Sequence, residues 1–113
     1  MNYSSKEEYQ RSSINRFYYS CFGPVKDYYE TAFRKTLPSK NAHQTLITEL
    51  ETSPFIEEIK LGKTLKNLRN QRNIADYNQK SQKFPLKTSK RNVEKIHSIL
   101  KKLENNPIRL MKN

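Results

Sequence analysis

The sequence predicts an all-α fold, an antiparallel bundle of four to five helices in one domain that spans residues 1–113. Apolar residues recur at steps of three or four along most of the chain, which is the period of one helix face. The chain has only two glycines, too few for the many tight turns of a β-rich fold. Its 113 residues can enclose one modest core, which we place within residues 5–104, followed by a tail over 105–113.

The first helix begins with a capping-box pattern. Ser4 and Ser5 are each followed three residues later by glutamate, an arrangement that satisfies free backbone N–H groups at a helix start. Gly23-Pro24 interrupts the helix, and because proline removes one helical hydrogen bond we expect a kink or a short break there. Its many aromatic side chains would suit base stacking, but their helical spacing favours a core position. The apolar face comprises Ile14, Tyr18, Cys21, Phe22, Val25, Tyr29, Ala32 and Phe33.

A turn over residues 37–41 precedes a short helix over 42–50. Asn41 is the predicted cap of this helix. His43 lies near the helix start, outside any apolar line, and we assign it no specific role. The inward-facing side chains are Leu46, Ile47 and Leu50.

The third helix contains the main candidate site of the sequence. Ser53 is its predicted cap and Pro54 its first helical residue, a favoured arrangement. One face starts apolar and ends with a guanidinium, which indicates a polar site at the end of a core helix. Because Asp76 follows Arg72 by four residues, an intrahelical ion pair on a solvated face is the alternative. The face comprises Leu61, Leu65, Leu68, Arg72 and Ala75.

A polar, basic loop over residues 78–87 leads into the last helix. Thr88 or Ser89 is the predicted cap, and the helix ends at Asn105-Asn106-Pro107. His97 flanks the apolar face and is expected to be a partly buried packing residue. The apolar face comprises Val93, Ile96, Leu100 and Leu103.

Positive charge is concentrated in the second half of the chain. The whole chain has 22 Lys/Arg and 11 Asp/Glu, a net charge of +11. Residues 1–59 contain seven basic and eight acidic side chains, a net of −1, whereas residues 60–113 contain fifteen and three, a net of +12. This asymmetry points to a polyanionic partner, either nucleic acid or an acidic protein, although a solubilising surface is an open alternative.

Several classes of function are poorly supported by the residues present. The single cysteine, Cys21, excludes an internal disulfide and a cysteine-based zinc site. Two histidines 54 positions apart form no ligand set, so we expect neither a metal nor another cofactor. No apolar run resembles a signal peptide or a membrane span, so we expect a cytoplasmic, soluble protein that contacts no membrane.

Two runs together resemble motifs of HEPN-domain proteins. SSINRFYYSCF is similar to the signature of the first long helix of that group, and LKNLRNQRNIADYN to its later motif that ends in Ala-Asp-Tyr. Their order and separation are compatible with the family, and the resemblance covers roughly residues 10–104. It implies an antiparallel helical bundle that forms a homodimer with polar helix ends paired in one cleft. Many members are metal-independent ribonucleases with an Arg-x4–6-His motif, and several are toxins neutralised by a nucleotidyltransferase that modifies a tyrosine.

The resemblance also implies a set of site residues. It assigns the motif arginine to Arg72 and the polar residue after it to Asn73, and Asp76 and Tyr77 occupy the Asp-Tyr positions. The sequence departs from the nuclease pattern because Tyr77, not histidine, stands five residues after Arg72. Aspartate is a weak base near neutral pH and tyrosine a reluctant one, so catalysis stays open. The candidate catalytic residues are Arg72, Asp76 and Tyr77. The candidate nucleic-acid-binding residues are Lys66, Arg69, Arg72, Asn73 and Lys80.

Two functional hypotheses follow. The first is an RNA- or nucleotide-binding protein of a toxin–antitoxin or phage-defence system, which the family resemblance extends to metal-independent endoribonuclease activity. The second is a non-enzymatic helical adaptor that binds an acidic protein, such as a nucleotidyltransferase or a phage factor. In the second hypothesis the pair Arg72–Asp76 is structural.

Overall fold

The computed structural model describes residues 5–77 and 86–107, and for residues 5–7 and 75–77 it describes the backbone only. Every regular element in these two ranges is a helix, which confirms the all-α prediction. Ser4, most of the predicted loop and the end of the tail lie outside the described residues. The helices are α1 (Ser5–Phe33), α2 (Ala42–Glu51), α3 (Ile56–Tyr77) and α4 (Leu86–Asn105). None of the described helices combines the length and the apolar character needed to cross a bilayer.

Helix α1 is continuous through Pro24, so a break at Gly23-Pro24 is wrong, and the alternative of a kink stays a prediction. Helical geometry is normally disfavoured before proline because the Cβ of the preceding residue collides with the pyrrolidine ring. Gly23 has no Cβ, which removes that collision. Pro24 is also exposed, so the helical carbonyl that loses its N–H partner can bond to water instead.

The chain reverses after α1 and returns along the same helix. Arg34 has a left-handed backbone, with φ of 55°, which ends α1 at Phe33. The N–H of Leu37 then donates to the Glu30 carboxylate at 2.9 Å, which holds the returning segment against the helix it has just left. The start of α2 is thereby placed beside the middle of α1.

Side-chain contacts between α1 and α2 show that the two helices run in the same direction. The Tyr18 hydroxyl contacts His43, and the Tyr29 hydroxyl donates to Glu49 at 2.8 Å. Residue numbers therefore rise together along both helices, so this pair departs from the predicted antiparallel arrangement. Lys35 binds the same Glu49 carboxylate at 3.0 Å, which ties the returning segment to α2.

Helix α3 is antiparallel to α1 and packs against α2 and α4 as well. Tyr28 donates to Glu58 near the start of α3, whereas Asn15 accepts from Arg72 near its end. Gly62 lies where α2 and α3 meet, because a Cβ at this position would be 2.8 Å from the Leu50 Cβ. The glycine therefore allows a close approach of the two helices, and it is buried in the contact.

The core lies between all four helices. Leu61, Leu65 and Leu68 are fully buried, which confirms the predicted face of α3 up to Arg72. In α4, Ile96, Leu100 and Leu103 are buried as predicted and Ile99 joins them. The remaining core side chains include Ile14, Tyr18, Cys21, Val25, Tyr29, Leu46, Ile47 and Leu50.

The predicted start of α2 at Ala42 is confirmed, whereas the predicted start of α3 needs correction. Asn41 is the N-cap of α2, as predicted, and its carbonyl accepts from the Thr45 N–H at 2.9 Å. Its backbone is left-handed, with φ of 58°, and its side chain makes no cap bond. Helix α3 begins at Ile56, two residues after Pro54. Ser53 Oγ accepts from the Phe55 N–H at 3.0 Å and donates to the Glu58 carboxylate at 2.5 Å. Ser53 thus satisfies the buried Glu58 and shapes the turn before the helix.

Helix α4 begins at Leu86, so a cap at Thr88 or Ser89 is wrong. Ser89 is fully buried and its hydroxyl donates to the Gln71 side-chain oxygen at 3.0 Å. This contact with α3 lies in the first turn of α4. His97 is exposed, which corrects its predicted partial burial.

Candidate functional site

The side chain of Arg72 lies across the middle of α1. Its Nε donates to the Asn15 side-chain oxygen at 2.7 Å. The guanidinium carbon is 5.0 Å from the ring centroid of Tyr19 and 5.6 Å from that of Tyr18. Both distances are within the range of cation–π attraction, which contributes ~0.5–2 kcal/mol depending on exposure. Arg72 is therefore half-buried at the α1–α3 contact and not on a fully solvated face.

His43 of α2 reaches the same region. Its Nδ1 is 2.5 Å from the Tyr18 hydroxyl, and its ring stacks on Phe22 with centroids 4.1 Å apart. The imidazole is half-buried, and Tyr18 is fully buried beneath it. His43, to which the sequence assigned no specific role, therefore makes defined contacts with Tyr18 and Phe22.

Arg69 adds a second guanidinium one helical turn before Arg72. Its Nη1 donates to the side-chain oxygen of Gln44 at 3.2 Å, which links α3 to the first turn of α2. Gln44 is a neutral amide, so this contact holds the guanidinium without cancelling its charge. We call Tyr18, Tyr19, His43, Arg69 and Arg72 the arginine cluster.

The electrostatic environment of the arginine cluster sets the protonation of its neutral members. Burial, reinforced by the charges of Arg69 and Arg72, lowers the pKa of His43 below its ordinary value of 6.5. Burial raises the pKa of Tyr18 to about 12, although both arginine charges oppose the rise. At neutral pH the cluster thus holds two cations, an uncharged imidazole and a protonated buried tyrosine.

Tyr19 is the most accessible aromatic ring of the arginine cluster, with 48% of its surface exposed. Its ring meets that of Tyr18 edge to face at 5.3 Å, so it is oriented by the core while one side reaches solvent. An exposed aromatic ring beside a guanidinium offers a stacking surface for a base and a fork for a phosphate.

The other predicted site residues lie outside the arginine cluster or outside the described residues. Lys66 is exposed on α3 and Asn73 is half-buried, and neither side chain makes a hydrogen bond or ion pair within the described ranges. The side chains of Asp76 and Tyr77 lie outside the described residues, as does Lys80, so their roles stay predictions.

A separate polar network joins α3 to α4. The side-chain oxygen of Gln71 accepts from Ser89 at 3.0 Å and from the Asn92 amide at 3.1 Å. This network fixes the last turns of α3 from the side opposite α2. It therefore helps to hold Arg69 and Arg72 in position.

His43 could have been recognised from its spacing. It precedes Leu46, Ile47 and Leu50 by three, four and seven residues, so it shares the buried face of α2. Its approach to Tyr18, 25 positions earlier, depends on the return of the chain after α1. No local pattern encodes that return.

In the two described ranges, no three His, Cys, Asp or Glu side chains are grouped so that they could hold a metal ion. Comparison of the chain with protein-family models, with curated proteins and with solved structures finds no match. The resemblance to HEPN-domain proteins therefore rests on its two sequence motifs and stays a prediction.

Proposed function

We propose that this protein binds single-stranded RNA through the arginine cluster, with Arg69 and Arg72 holding phosphate groups and Tyr19 contacting a base. The observation that carries the proposal is that two guanidiniums, a half-buried imidazole and an exposed tyrosine ring converge where α1, α2 and α3 meet. Guanidinium groups bind phosphate oxygens through paired N–H donors, and aromatic rings stack on unpaired bases of any sequence.

The charge around the arginine cluster supports a polyanionic ligand. Residues 60–113, which contain α4 and all of α3 after its acidic first turn, have a net charge of +12. Lysines on the outward faces of both helices are exposed and can attract a nucleic acid backbone without sequence preference. These exposed lysines include Lys63, Lys66, Lys90, Lys95, Lys101 and Lys102.

Fluorescence anisotropy with a short labelled single-stranded RNA at low salt tests the proposal. Arg69→Ala removes a charge-assisted contact of about 1.5–3 kcal/mol, so we expect the Kd to rise roughly ten- to a hundredfold. Lys101→Ala removes an equal charge from the exposed surface of α4 and is the matched control. An equal loss in both variants, or no binding by the unaltered protein, would refute binding at the arginine cluster.

A comparison of ligands tests the role of Tyr19. Base stacking contributes about 1–3 kcal/mol per base, so Tyr19→Ala should weaken the binding of single-stranded RNA by roughly tenfold or more. A duplex of the same length has no unpaired base to offer and should bind Tyr19→Ala and the unaltered protein alike. Equal losses for both RNAs would indicate a change in the protein rather than a lost stacking contact.

A non-enzymatic adaptor is the second candidate, and one surface feature favours it. Ile74 is 47% exposed on α3 and shares the outward face of that helix with Lys63. An exposed apolar side chain on a helix that also presents cations suits an acidic protein partner or a second copy of this chain. Ile74→Glu should abolish such an association, measured by sedimentation, and should leave RNA binding at the arginine cluster intact.

The toxin–antitoxin or phage-defence setting belongs to the same proposal and rests on the two HEPN-like motifs. Expression in cells of the unaltered protein and of Arg72→Ala tests it. Growth arrest that depends on Arg72 would support a toxin. Equal harmlessness of both proteins would favour the adaptor.

A further inference from the structure

The hydrogen bond between Tyr18 and His43 determines which imidazole nitrogen carries a proton. Tyr18 is fully buried, and its hydroxyl makes no hydrogen bond in the described ranges other than the one to Nδ1. A tyrosine O–H is protonated at neutral pH, and a buried O–H donor needs an acceptor. If Nδ1 carried the proton, the Tyr18 O–H would have no hydrogen-bond acceptor among the described residues. The geometry therefore has Tyr18 donating to Nδ1.

The other nitrogen of the ring must then carry the proton. A neutral imidazole has one N–H and one acceptor nitrogen, so an accepting Nδ1 requires a proton on Nε2. Within the described part of the chain Nε2 makes no hydrogen bond to protein. The stack on Phe22 at 4.1 Å holds the ring plane, so the Nε2–H has a defined direction.

The position of the imidazole proton distinguishes two possible roles of a histidine at a phosphate-binding site. A general base that deprotonates a ribose hydroxyl needs an unshared electron pair on the nitrogen that meets the substrate. In His43 that electron pair is on Nδ1, where it accepts from Tyr18. The available Nε2 instead offers an N–H, which a phosphate oxygen can accept.

We infer that Tyr18 holds His43 as an Nε2–H donor, and that His43 is a third phosphate-binding residue beside Arg69 and Arg72 rather than a base for RNA cleavage. The inference rests on the proposed binding of phosphate at the arginine cluster. The ligand class is a phosphate group that meets two guanidiniums and one neutral N–H donor. Tyr18 is a positioning residue, because it acts only through His43.

Nuclear magnetic resonance of the 15N-labelled imidazole tests the tautomer directly. Long-range proton–nitrogen correlations at neutral pH should show His43 as the Nε2–H form. Titration with inorganic phosphate should then shift the Nε2 resonance more than the Nδ1 resonance. An Nδ1–H pattern in the folded protein would overturn the inference whatever the ligand does.

Two substitutions test the donor role. His43→Gln keeps an N–H donor on a side chain of similar reach, whereas His43→Leu removes it. Loss of one hydrogen bond to a charged group corresponds to roughly tenfold in Kd, so we expect about that loss for inorganic phosphate and single-stranded RNA with His43→Leu. His43→Gln should stay within about threefold of the unaltered protein on the same grounds. Far-ultraviolet circular dichroism checks that both variants fold.

The outcomes separate this inference from the proposed function. If inorganic phosphate binds and depends on His43 but single-stranded RNA does not bind, RNA binding fails and the role of His43 stands. If His43→Leu binds both ligands as tightly as the unaltered protein while Arg69→Ala does not, the role of His43 fails alone. If the unaltered protein bound neither inorganic phosphate nor single-stranded RNA, both would be overturned.

Discussion

Gly62 provides a quantitative test of how closely α2 and α3 pack. In Gly62→Ala the new Cβ would lie 2.8 Å from the Leu50 Cβ and 3.0 Å from the main-chain nitrogen of Glu51. Neither atom can rotate away, because one belongs to the main chain and the other is bonded directly to it. The overlap should therefore fall at the upper end of the ~1–3 kcal/mol typical of overpacking. Alanine in place of glycine inside a helix returns about 1 kcal/mol, which leaves a net loss of ~2 kcal/mol.

Chemical and thermal denaturation followed by circular dichroism measures this loss. At roughly 4 °C per kcal/mol for a domain of this size, Gly62→Ala should lower Tm by ~8 °C. Lys63→Ala, an exposed change one residue along the same helix, should stay within about 0.5 kcal/mol of the unaltered protein. If Gly62→Ala were more stable than the unaltered protein, helix propensity would outweigh packing, and the close contact of α2 with α3 would be refuted.

The other predictions concern the core and its titratable groups. Leu65→Ala should lower the free energy of unfolding by about 2–5 kcal/mol in urea denaturation, because Leu65 is fully buried. Since the pKa of Tyr18 is raised to about 12, the folded protein keeps a proton that an unfolded tyrosine loses near pH 10, and stability should fall between these values. Tyr18→Phe should remove up to ~2.7 kcal/mol of that pH dependence. Since the pKa of His43 is lowered, unfolded His43 takes up a proton first as the pH falls below 6.5, so stability should drop with acidification, and His43→Gln should reduce the slope. A slope unchanged by either substitution would contradict the burial of the residue replaced.

The helices and most of the core could be predicted from the sequence because both depend on local spacing. Leu61, Leu65 and Leu68 share a face whatever packs against them, and burial confirms it. The starts of α3 and α4 could not be placed as well, because long-range contacts override local cap signals. Serine is a common cap residue, but Ser89 lies inside the first turn of α4, where its hydroxyl donates a hydrogen bond to Gln71.

Only part of the candidate site could be predicted from the sequence. Arg69 and Arg72 could be identified because they continue the apolar face of α3 into charge. Tyr18 belonged to a recognisable aromatic face, yet the approach of His43 to it depends on how residues 34–41 return along α1. The hydrogen bond between Leu37 and Glu30 that holds this return joins residues with no motif in common. Spacing showed which face a residue occupies but not which helix would meet it.

A single nuclear magnetic resonance titration tests most directly whether the arginine cluster is the RNA-binding site. A short single-stranded RNA is added to protein with labelled arginine, lysine and tyrosine side chains. We expect the Nε resonances of Arg69 and Arg72 and the ring resonances of Tyr19 to shift first and to saturate together. The exposed Lys95 and Lys101 of α4 should shift less and lose their shifts as salt is raised. Shifts confined to α4, with Arg69 and Arg72 unchanged, would contradict RNA binding at the arginine cluster.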